Sequence, residues 1–344
     1  MGAMEIQKEL IFAEEEYRSR VKAVQKQLEE KGMDAFLVFQ IHNMHYLTGY
    51  TTVGLLNYQF ALVPKEGEPT IFLRLLEGDL ARLFSPFSDI ETWEDTDDPV
   101  EVTRLLLEKK GLASAHLGYE GKCMSFPPQV LERLQGALPS VKWSDMAGVV
   151  EQNRMIKSPA EIECMRQAAC ATAAGMKAAV EEARIGVTEN DIAAAASDAI
   201  IRAGSEPLTM SPIVTSGPRS AVAHTTFKRR SLENGDTVLL EWSGVYNQYS
   251  GPMMRSVVIG EPPKRLKEMW AVLVEALEAA IAAIRPGVIS GEVDAASTSI
   301  IEKAGLYQYY RKRLGYSVGI AFPPDWGEGH IIDLKRNDPR ALAA

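Results

Sequence analysis

Short apolar runs alternate with charged amphipathic stretches in the first part of the chain, and the two patterns predict different elements. A short apolar run predicts a buried strand at 34–39, and further short segments predict strands at 60–63, 70–73, 115–119 and 141–143. Amphipathic stretches predict helices at 12–32, 99–110 and 127–136. Strands that alternate with helices are typical of an α/β domain, which we expect to end near residue 150.

A helix start marks the boundary to a second domain. Ser158 stands at an N-cap position, Pro159 at the first helical position and Glu161 three residues after the cap, which predicts a capping box. A long alanine-rich helix follows. We therefore predict one domain over residues 5–152 and another over 153–344, and we interpret residues 1–4 as an expression remnant.

The second domain contains an internal repeat. The segment that begins Arg184-Ile-Gly-Val is similar to the one that begins Arg285-Pro-Gly-Val, 101 residues later. Each closes one long helix and opens another, and each second helix ends in Ala-Gly, at Gly204 and Gly305. One unit of two helices plus strands therefore occurs twice. The repeat predicts a pseudo-symmetric α/β fold with its site where the halves meet.

Composition narrows the classes of function. The chain has 344 residues, is 46% hydrophobic and 24% charged, and carries a net charge of −9, as expected of a soluble globular protein. The acidic balance argues against nucleic acid as a partner. No apolar run is long enough for a membrane span, so we expect no membrane partner. Three cysteines without metal-ligand spacing favour the cytoplasm.

Candidate chemistry is concentrated between the two repeats. A strand that begins at Pro212 leads to His224, and a second strand places Glu241 after an apolar run. The segment from Tyr246 to Ser256 returns as the partner of that strand. Histidine exchanges protons near neutral pH, and a carboxylate beside it can act as a nucleophile or base. Taken alone, a single histidine after a strand is more often structural.

These residues resemble the peptidase M24 superfamily, the pita-bread fold shared by methionine aminopeptidase, prolidase and creatinase. The resemblance runs from about 20 to 340 and is strongest over 152–328. It implies an α/β (α+β) protein with an N-terminal creatinase-type α/β domain and a C-terminal pita-bread catalytic domain. It also implies a homodimer in which the N-terminal domain lies near the partner's site, and a small-molecule substrate.

The metal-ligand positions of that superfamily are altered here. Glu241 replaces the first ligand aspartate, and the second falls on Pro252. The metal-binding histidine of Gly-His-Gly-Ile-Gly is Tyr316, and a later histidine falls on Pro323. Proline has no ligand atom, and a phenol with a pKa near 10 is a poor ligand at pH 7. We therefore expect no catalytic metal and no cofactor.

The segment 315–328 is similar to that of the ectoine hydrolase group, which has a glutamate at the first ligand position. In creatinase the catalytic glutamate instead occupies the place of Met254. The resemblance implies a metal-independent hydrolase of a non-peptide C–N bond in a small zwitterion. The preferred reaction is ring opening of an ectoine-type cyclic amidine. The alternatives are a creatine-type amidinohydrolase, a metal-dependent Xaa-Pro dipeptidase, and a non-catalytic binder with the same fold.

Roles for single residues follow from this resemblance. His224 is expected to be the general acid/base, Glu241 the nucleophile or the group that positions water, and Arg255 a clamp on Glu241 or on the substrate carboxylate. The alternatives are a structural ion pair of Glu241 with Arg255 and a core position for Trp242. The expected substrate contacts are Trp242, Tyr249, Tyr316, Asp325, Trp326 and Glu328.

Two further expectations concern a loop of the N-terminal domain and the C-terminal end of the sequence. His42 and His45 precede a loop that reaches the partner's site in this superfamily, and we interpret the pair as a polar surface turn rather than a metal site. After 326–328 the superfamily continues into final strands, which the sequence up to residue 344 does not contain. Either the sequence is a truncated version of a longer protein, or the protein has lost part of the catalytic apparatus. We favour truncation and expect a longer version of the chain to be more stable and more active.

Overall fold

The computed structural model describes residues 7–328 and 331–343, so the predicted expression remnant at 1–4 lies outside the described residues. The chain divides into two compact units, one ending at Arg154 and the other beginning at Met155. Across the described ranges, every helix is too short or too polar to span a lipid bilayer.

The first unit is built on one mixed sheet of six strands in the order β4-β3-β2-β1-β5-β6. Its strands are β1 (Ala35–Val38), β2 (Phe60–Pro64), β3 (Thr70–Arg74), β4 (Ile90–Trp93), β5 (His116–Tyr119) and β6 (Lys142–Asp145). Its helices are α1 (Glu14–Glu30), α2 (Ile41–Thr48), α3 (Gly78–Phe84), α4 (Pro99–Lys109), α5 (Pro128–Ala137) and α6 (Val149–Arg154).

The central position of β1 explains its unbroken apolar run. All four of its residues are buried, and it pairs antiparallel with β2 and parallel with β5. Phe39, Phe60 and Phe72 join Leu107 and Leu134 from α4 and α5 in one core cluster. The predicted α/β architecture of this part is confirmed. The strand β4 was not predicted, because its residues are only half-buried and form no apolar run.

The expected polar surface turn at His42 and His45 is wrong, because this segment is the buried helix α2. His45 is only 2% exposed. The buried carboxylate of Glu120 accepts hydrogen bonds from the Phe39 N–H at 2.7 Å and from the Asn43 amide at 2.5 Å. Polar side chains are thus stable inside this unit because they bond to one another and to the start of α2.

The described residues of the second unit form four long helices and small antiparallel sheets. The helices are α7 (Pro159–Glu182), α8 (Glu189–Arg202), α9 (Lys264–Ala283) and α10 (Ser290–Lys303). The strands are β7 (Ile213–Ser216), β8 (Thr237–Trp242), β9 (Val245–Tyr246), β10 (Tyr249–Ser250), β11 (Met253–Val258), β12 (Gly315–Tyr316) and β13 (Asp333–Leu334). The main sheet has the order β11-β8-β7, and β9 pairs with β10 and β12 with β13.

The predicted repeat and helix start are both present. The helices α8 and α10 each have 14 residues, and their first residues are 101 positions apart. Before each lies a glycine with positive φ, 86° at Gly186 and 85° at Gly287, a backbone conformation that favours glycine. At the start of α7, Ser158 and Glu161 form the predicted capping box.

Burial alternates along β8 and fixes the direction of its side chains. Val238, Leu240 and Trp242 are fully buried in the core beneath α7 and α8. Because successive strand residues point to opposite faces, Glu241 points away from that core. This alternation places the carboxylate on the open face of the sheet.

Candidate active site

A cavity of about 920 Å³ opens in the second unit around Glu241 and His224. Strands β7, β8 and β11 contribute Ile213, Glu241 and Met254 to its lining. Two later segments supply most of the remaining wall: Lys312, Arg313, Leu314, Tyr316, Pro324, Asp325, Trp326, Gly327 and Glu328. The two residues expected to carry the chemistry therefore share one cavity.

Glu241 is half-buried in this cavity. Burial raises the pKa of its carboxyl above the ordinary glutamate range, while the positive charges of Lys312 and His224 act in the opposite direction. Desolvation penalises the charged form, and nearby cations favour it. The pKa of this carboxyl therefore lies above that of an exposed glutamate, and a shifted carboxyl pKa in a cavity is typical of functional sites.

His224 lies on the loop that follows a short 3₁₀ helix, Gly217–Ala221. Its side chain is exposed towards the cavity, and its backbone has φ of 60°, which is uncommon for a residue with a side chain. In the part of the chain that the structure describes, its ring has no hydrogen-bond partner. No side-chain hydrogen bond among the described residues holds the imidazole, so its position depends on the backbone of its loop.

The predicted contacts after residue 315 are brought together at one wall of the cavity. The Trp326 indole N–H donates to the Tyr316 hydroxyl at 2.8 Å. Glu328 is buried, and its carboxylate lies 2.5 Å from the Lys157 ammonium. Asp325 also lines the cavity. Contact of these four side chains with substrate stays a prediction.

The predicted role of Arg255 is not supported by its position. Its register partner across β8 and β11 is Leu240, whereas Met254 stands opposite Glu241. Directly paired residues share one face of a sheet, so the Arg255 side chain leaves from the other face. Its guanidinium is exposed and donates to the Met254 carbonyl at 2.7 Å. Neither the expected clamp on Glu241 nor the alternative structural ion pair is formed.

Trp242 and Tyr249 are core residues, and their prediction as substrate contacts is wrong. Both are fully buried. The Trp242 indole N–H donates to the Thr172 carbonyl at 3.3 Å, and the Tyr249 hydroxyl donates to a Glu161 carboxylate oxygen at 2.8 Å. Their polar atoms are satisfied within the protein, and neither side chain lines the cavity.

Two cations in the cavity wall were missed from the sequence. Arg313 lies 3.1 Å from the Asp333 carboxylate and stacks over the Tyr316 ring at 4.7 Å from its centroid. Lys312 has no ion pair within residues 7–328 and 331–343. Both stand shortly before Gly315-Tyr316 in the sequence, but no motif distinguished them from ordinary surface charges.

The donor atoms at this site do not fit two metal ions. Of the four compared positions, Glu241 alone offers a carboxylate, and Tyr316 uses its hydroxyl to accept from Trp326. Pro252 and Pro323 have no ligand atom. Among the described residues, no three His, Cys, Asp or Glu side chains converge as a metal site. A two-metal centre needs several such groups around each ion.

Comparison with known proteins gives the same assignment for both units. Residues 163–343 match the model of metallopeptidase family M24, and residues 20–156 match that of the creatinase/prolidase N-terminal domain. The ectoine hydrolase of Halomonas elongata is 28% identical over 98% of this chain and 88% of its own length. The Xaa-Pro dipeptidase of Pyrococcus horikoshii is 27% identical over 88% of this chain and 81% of its own length.

Solved structures agree on the fold. A prolidase from Thermococcus sibiricus superposes with a TM-score of 0.83 at 24% identity, covering 95% of this chain and 86% of that one. The match spans both units, and the family model covers more than half of the chain, including every lining residue of the cavity. The chain is therefore a hydrolase of family M24, with a creatinase-like N-terminal domain joined to a pita-bread catalytic domain.

Proposed function

We propose that this protein is a metal-independent hydrolase that opens the ring of a small cyclic amidine of the ectoine type. The observation that carries the proposal is the joint presence of Glu241 and His224 in a cavity whose donor atoms do not fit a two-metal site. An amidinium carbon is already electrophilic, so its hydrolysis does not require a metal to polarise it. The similarity to an ectoine hydrolase supports the same substrate class.

The proposed reaction adds one water and breaks one ring C–N bond, which gives an amide and a free amine. Glu241 either attacks the amidinium carbon or removes a proton from the attacking water. His224 gives a proton to the departing ring nitrogen, and in the covalent route it then activates the water that releases Glu241. Both routes need Glu241 ionised at the start. In the covalent route the activated water attacks the Glu241 carboxyl carbon, so one turnover in ¹⁸O-labelled water places the label in the Glu241 carboxylate and leaves the product amide unlabelled. In the water route the label enters the product amide instead.

The substrate carboxylate needs a cation, and we propose that Lys312 supplies it in place of Arg255. Lys312 lines the cavity, and within the described ranges no carboxylate of the protein neutralises it. Its charge also acts on Glu241. An exposed lysine is flexible enough to reach a carboxylate while the amidinium lies against Glu241.

Removing the charge of Lys312 should move the acidic limb of the pH–rate profile. The Lys312 ammonium lowers the pKa of Glu241, so Lys312→Gln raises that pKa further. Activity is lost as pH falls and Glu241 takes up a proton, and the acidic limb of kcat/KM should therefore shift to higher pH. Lys303→Gln, an exposed lysine outside the cavity lining, is the control and should leave the limb in place. A limb that moves to lower pH in Lys312→Gln would contradict the assignment.

An Xaa-Pro dipeptidase is the main competing function, because relatives carry that name and the cavity volume would also admit a dipeptide. Metal removal distinguishes the two. We expect protein treated with a chelator, and analysed for bound Mn, Co and Zn, to keep its activity on the amidine. Stoichiometric metal together with restored Xaa-Pro cleavage would establish the dipeptidase instead.

The substrate is tested with a small panel of compounds. Ectoine, hydroxyectoine, creatine and Xaa-Pro dipeptides are screened for a shift in melting temperature, and products are then identified by mass spectrometry. The expected result is the ring-opened amide of ectoine. Urea from creatine would indicate the amidinohydrolase, and binding without turnover of any compound would indicate a non-catalytic binder. We also propose a cytoplasmic homodimer, as the family resemblance suggests; sedimentation equilibrium tests the oligomeric state.

A further inference from the structure

The loop that carries His224 is tied to one buried carboxylate. Glu189, the first residue of α8, is fully buried. One of its oxygens accepts from both the backbone N–H and the hydroxyl of Ser216, each at 2.8 Å. The other accepts from the Lys228 backbone N–H at 2.8 Å. The two ends of the loop, before and after His224, therefore meet at the same side chain.

Arg219 extends this arrangement to the immediate neighbourhood of His224. Its guanidinium donates to Glu189 at 2.5 Å and also to the Thr226 carbonyl, two residues after His224. Thr226 and His224 both line the cavity. The Thr226 hydroxyl in turn donates to the Pro212 carbonyl at 3.2 Å. A planar guanidinium suits this role, because it can donate to two acceptors in fixed directions.

We propose that Glu189 and Arg219 are positioning residues that hold the His224 loop in its catalytic geometry. The inference rests on the proposed function in one respect, namely the assignment of proton transfer to His224. Since the imidazole has no hydrogen-bond partner of its own among the described residues, its position in the cavity depends on the loop backbone that these two residues hold.

The internal repeat argues that the carboxylate is not needed merely to fold this region. The residue equivalent to Glu189 in the second repeat is Ser290, which also begins its helix. Within the described ranges, the Ser290 side chain makes one hydrogen bond, from its hydroxyl to the Asp333 carbonyl at 2.6 Å. The same helix start therefore forms without a carboxylate. The additional hydrogen bonds that Glu189 accepts all come from the segment that contains His224, or from its ends.

The test uses the full chain with the variants Glu189→Gln and Arg219→Lys. The first replaces a carboxylate that accepts from several donors by a group with only one acceptor oxygen. The second keeps an ion pair with Glu189, but a single ammonium cannot also bond to Thr226 in the same geometry. Because Arg219 is partly exposed, its variant is expected to fold even where Glu189→Gln does not. The control is Asp198→Asn, which breaks an exposed pair with Arg202 on the outer side of α8.

Two measurements need no substrate. Hydrogen–deuterium exchange of the segment 216–228 should be about tenfold faster in both variants and unchanged in the control. The ¹H–¹³C signal of the His224 ring, assigned by its loss in His224→Gln, should move towards the position of free histidine. Unchanged exchange in both variants would show that Glu189 and Arg219 do not order the loop. A wild-type ring signal already at the free-histidine position would show that the loop does not position the His224 ring.

Kinetics then separates positioning from a merely structural role. For any substrate that the wild-type protein turns over, kcat should fall about ten- to a hundredfold in both variants while KM changes less than about twofold. A faster-exchanging loop with wild-type kcat would refute the positioning role. If the wild-type protein turns over none of the panel, the proposed function fails, while exchange and the ring signal still decide whether Glu189 and Arg219 order the loop.

Discussion

Replacing Glu241 by glutamine should lower kcat about 1000-fold while leaving KM within about twofold. The amide has nearly the same size as the carboxylate, so the cavity keeps its shape. It cannot attack the amidinium carbon, and it cannot remove a proton from water. Steady-state kinetics on the ring-opening reaction measures the effect. Circular dichroism and the unfolding midpoint should be unchanged, because the Glu241 side chain lies outside the core cluster.

The matched control is Glu261→Gln, which removes an exposed carboxylate just beyond the end of β11. It should leave kcat and KM unchanged. The double variant with His224→Gln should be little slower than either single variant, because groups that act as one unit give non-additive losses. Wild-type turnover by Glu241→Gln would disprove the mechanism. Losses that simply multiply in the double variant would show that the two residues act independently.

The sequence singled out His224 and Glu241 together, and both line one cavity; their catalytic roles stay a prediction. It also predicted the helix start at Ser158 and the repeat. These features depend on local sequence: a cap needs particular side chains at fixed offsets, and a repeat is visible as a constant separation. The resemblance of the second half to family M24 then predicted the fold around His224 and Glu241, and the family model matches residues 163–343.

The errors at Arg255 and Trp242 have a different cause. Trp242 follows Glu241 on a strand, and neighbouring strand residues point to opposite faces, so its core position could have been deduced once Glu241 was assigned to the cavity. The face of Arg255 depends on the pairing register of β8 and β11, which the sequence does not specify directly. Lys312 reaches the cavity from a loop without a motif, and only the folded chain reveals it.

The assignment of Trp242 to the core leads to the second large expected effect. Trp242→Ala should lower the free energy of unfolding by about 3–5 kcal/mol, the usual cost of truncating a large buried aromatic side chain. The indole is fully buried among residues of α7, α8 and the main sheet, and its removal also deletes the hydrogen bond that it donates to the Thr172 carbonyl. Urea unfolding followed by circular dichroism measures the loss.

The milder pair Trp242→Phe and Trp326→Phe then distinguishes a core tryptophan from one at the substrate site. Each change removes one indole N–H donor from a buried side chain, at a cost to stability of about 1 kcal/mol. Trp242→Phe should leave kcat and KM unchanged, because the ring does not reach the cavity. Trp326→Phe should raise KM, because its ring and its bond to Tyr316 form part of the cavity wall. A raised KM in Trp242→Phe with normal stability would contradict the core assignment and show that Trp242 contacts the substrate.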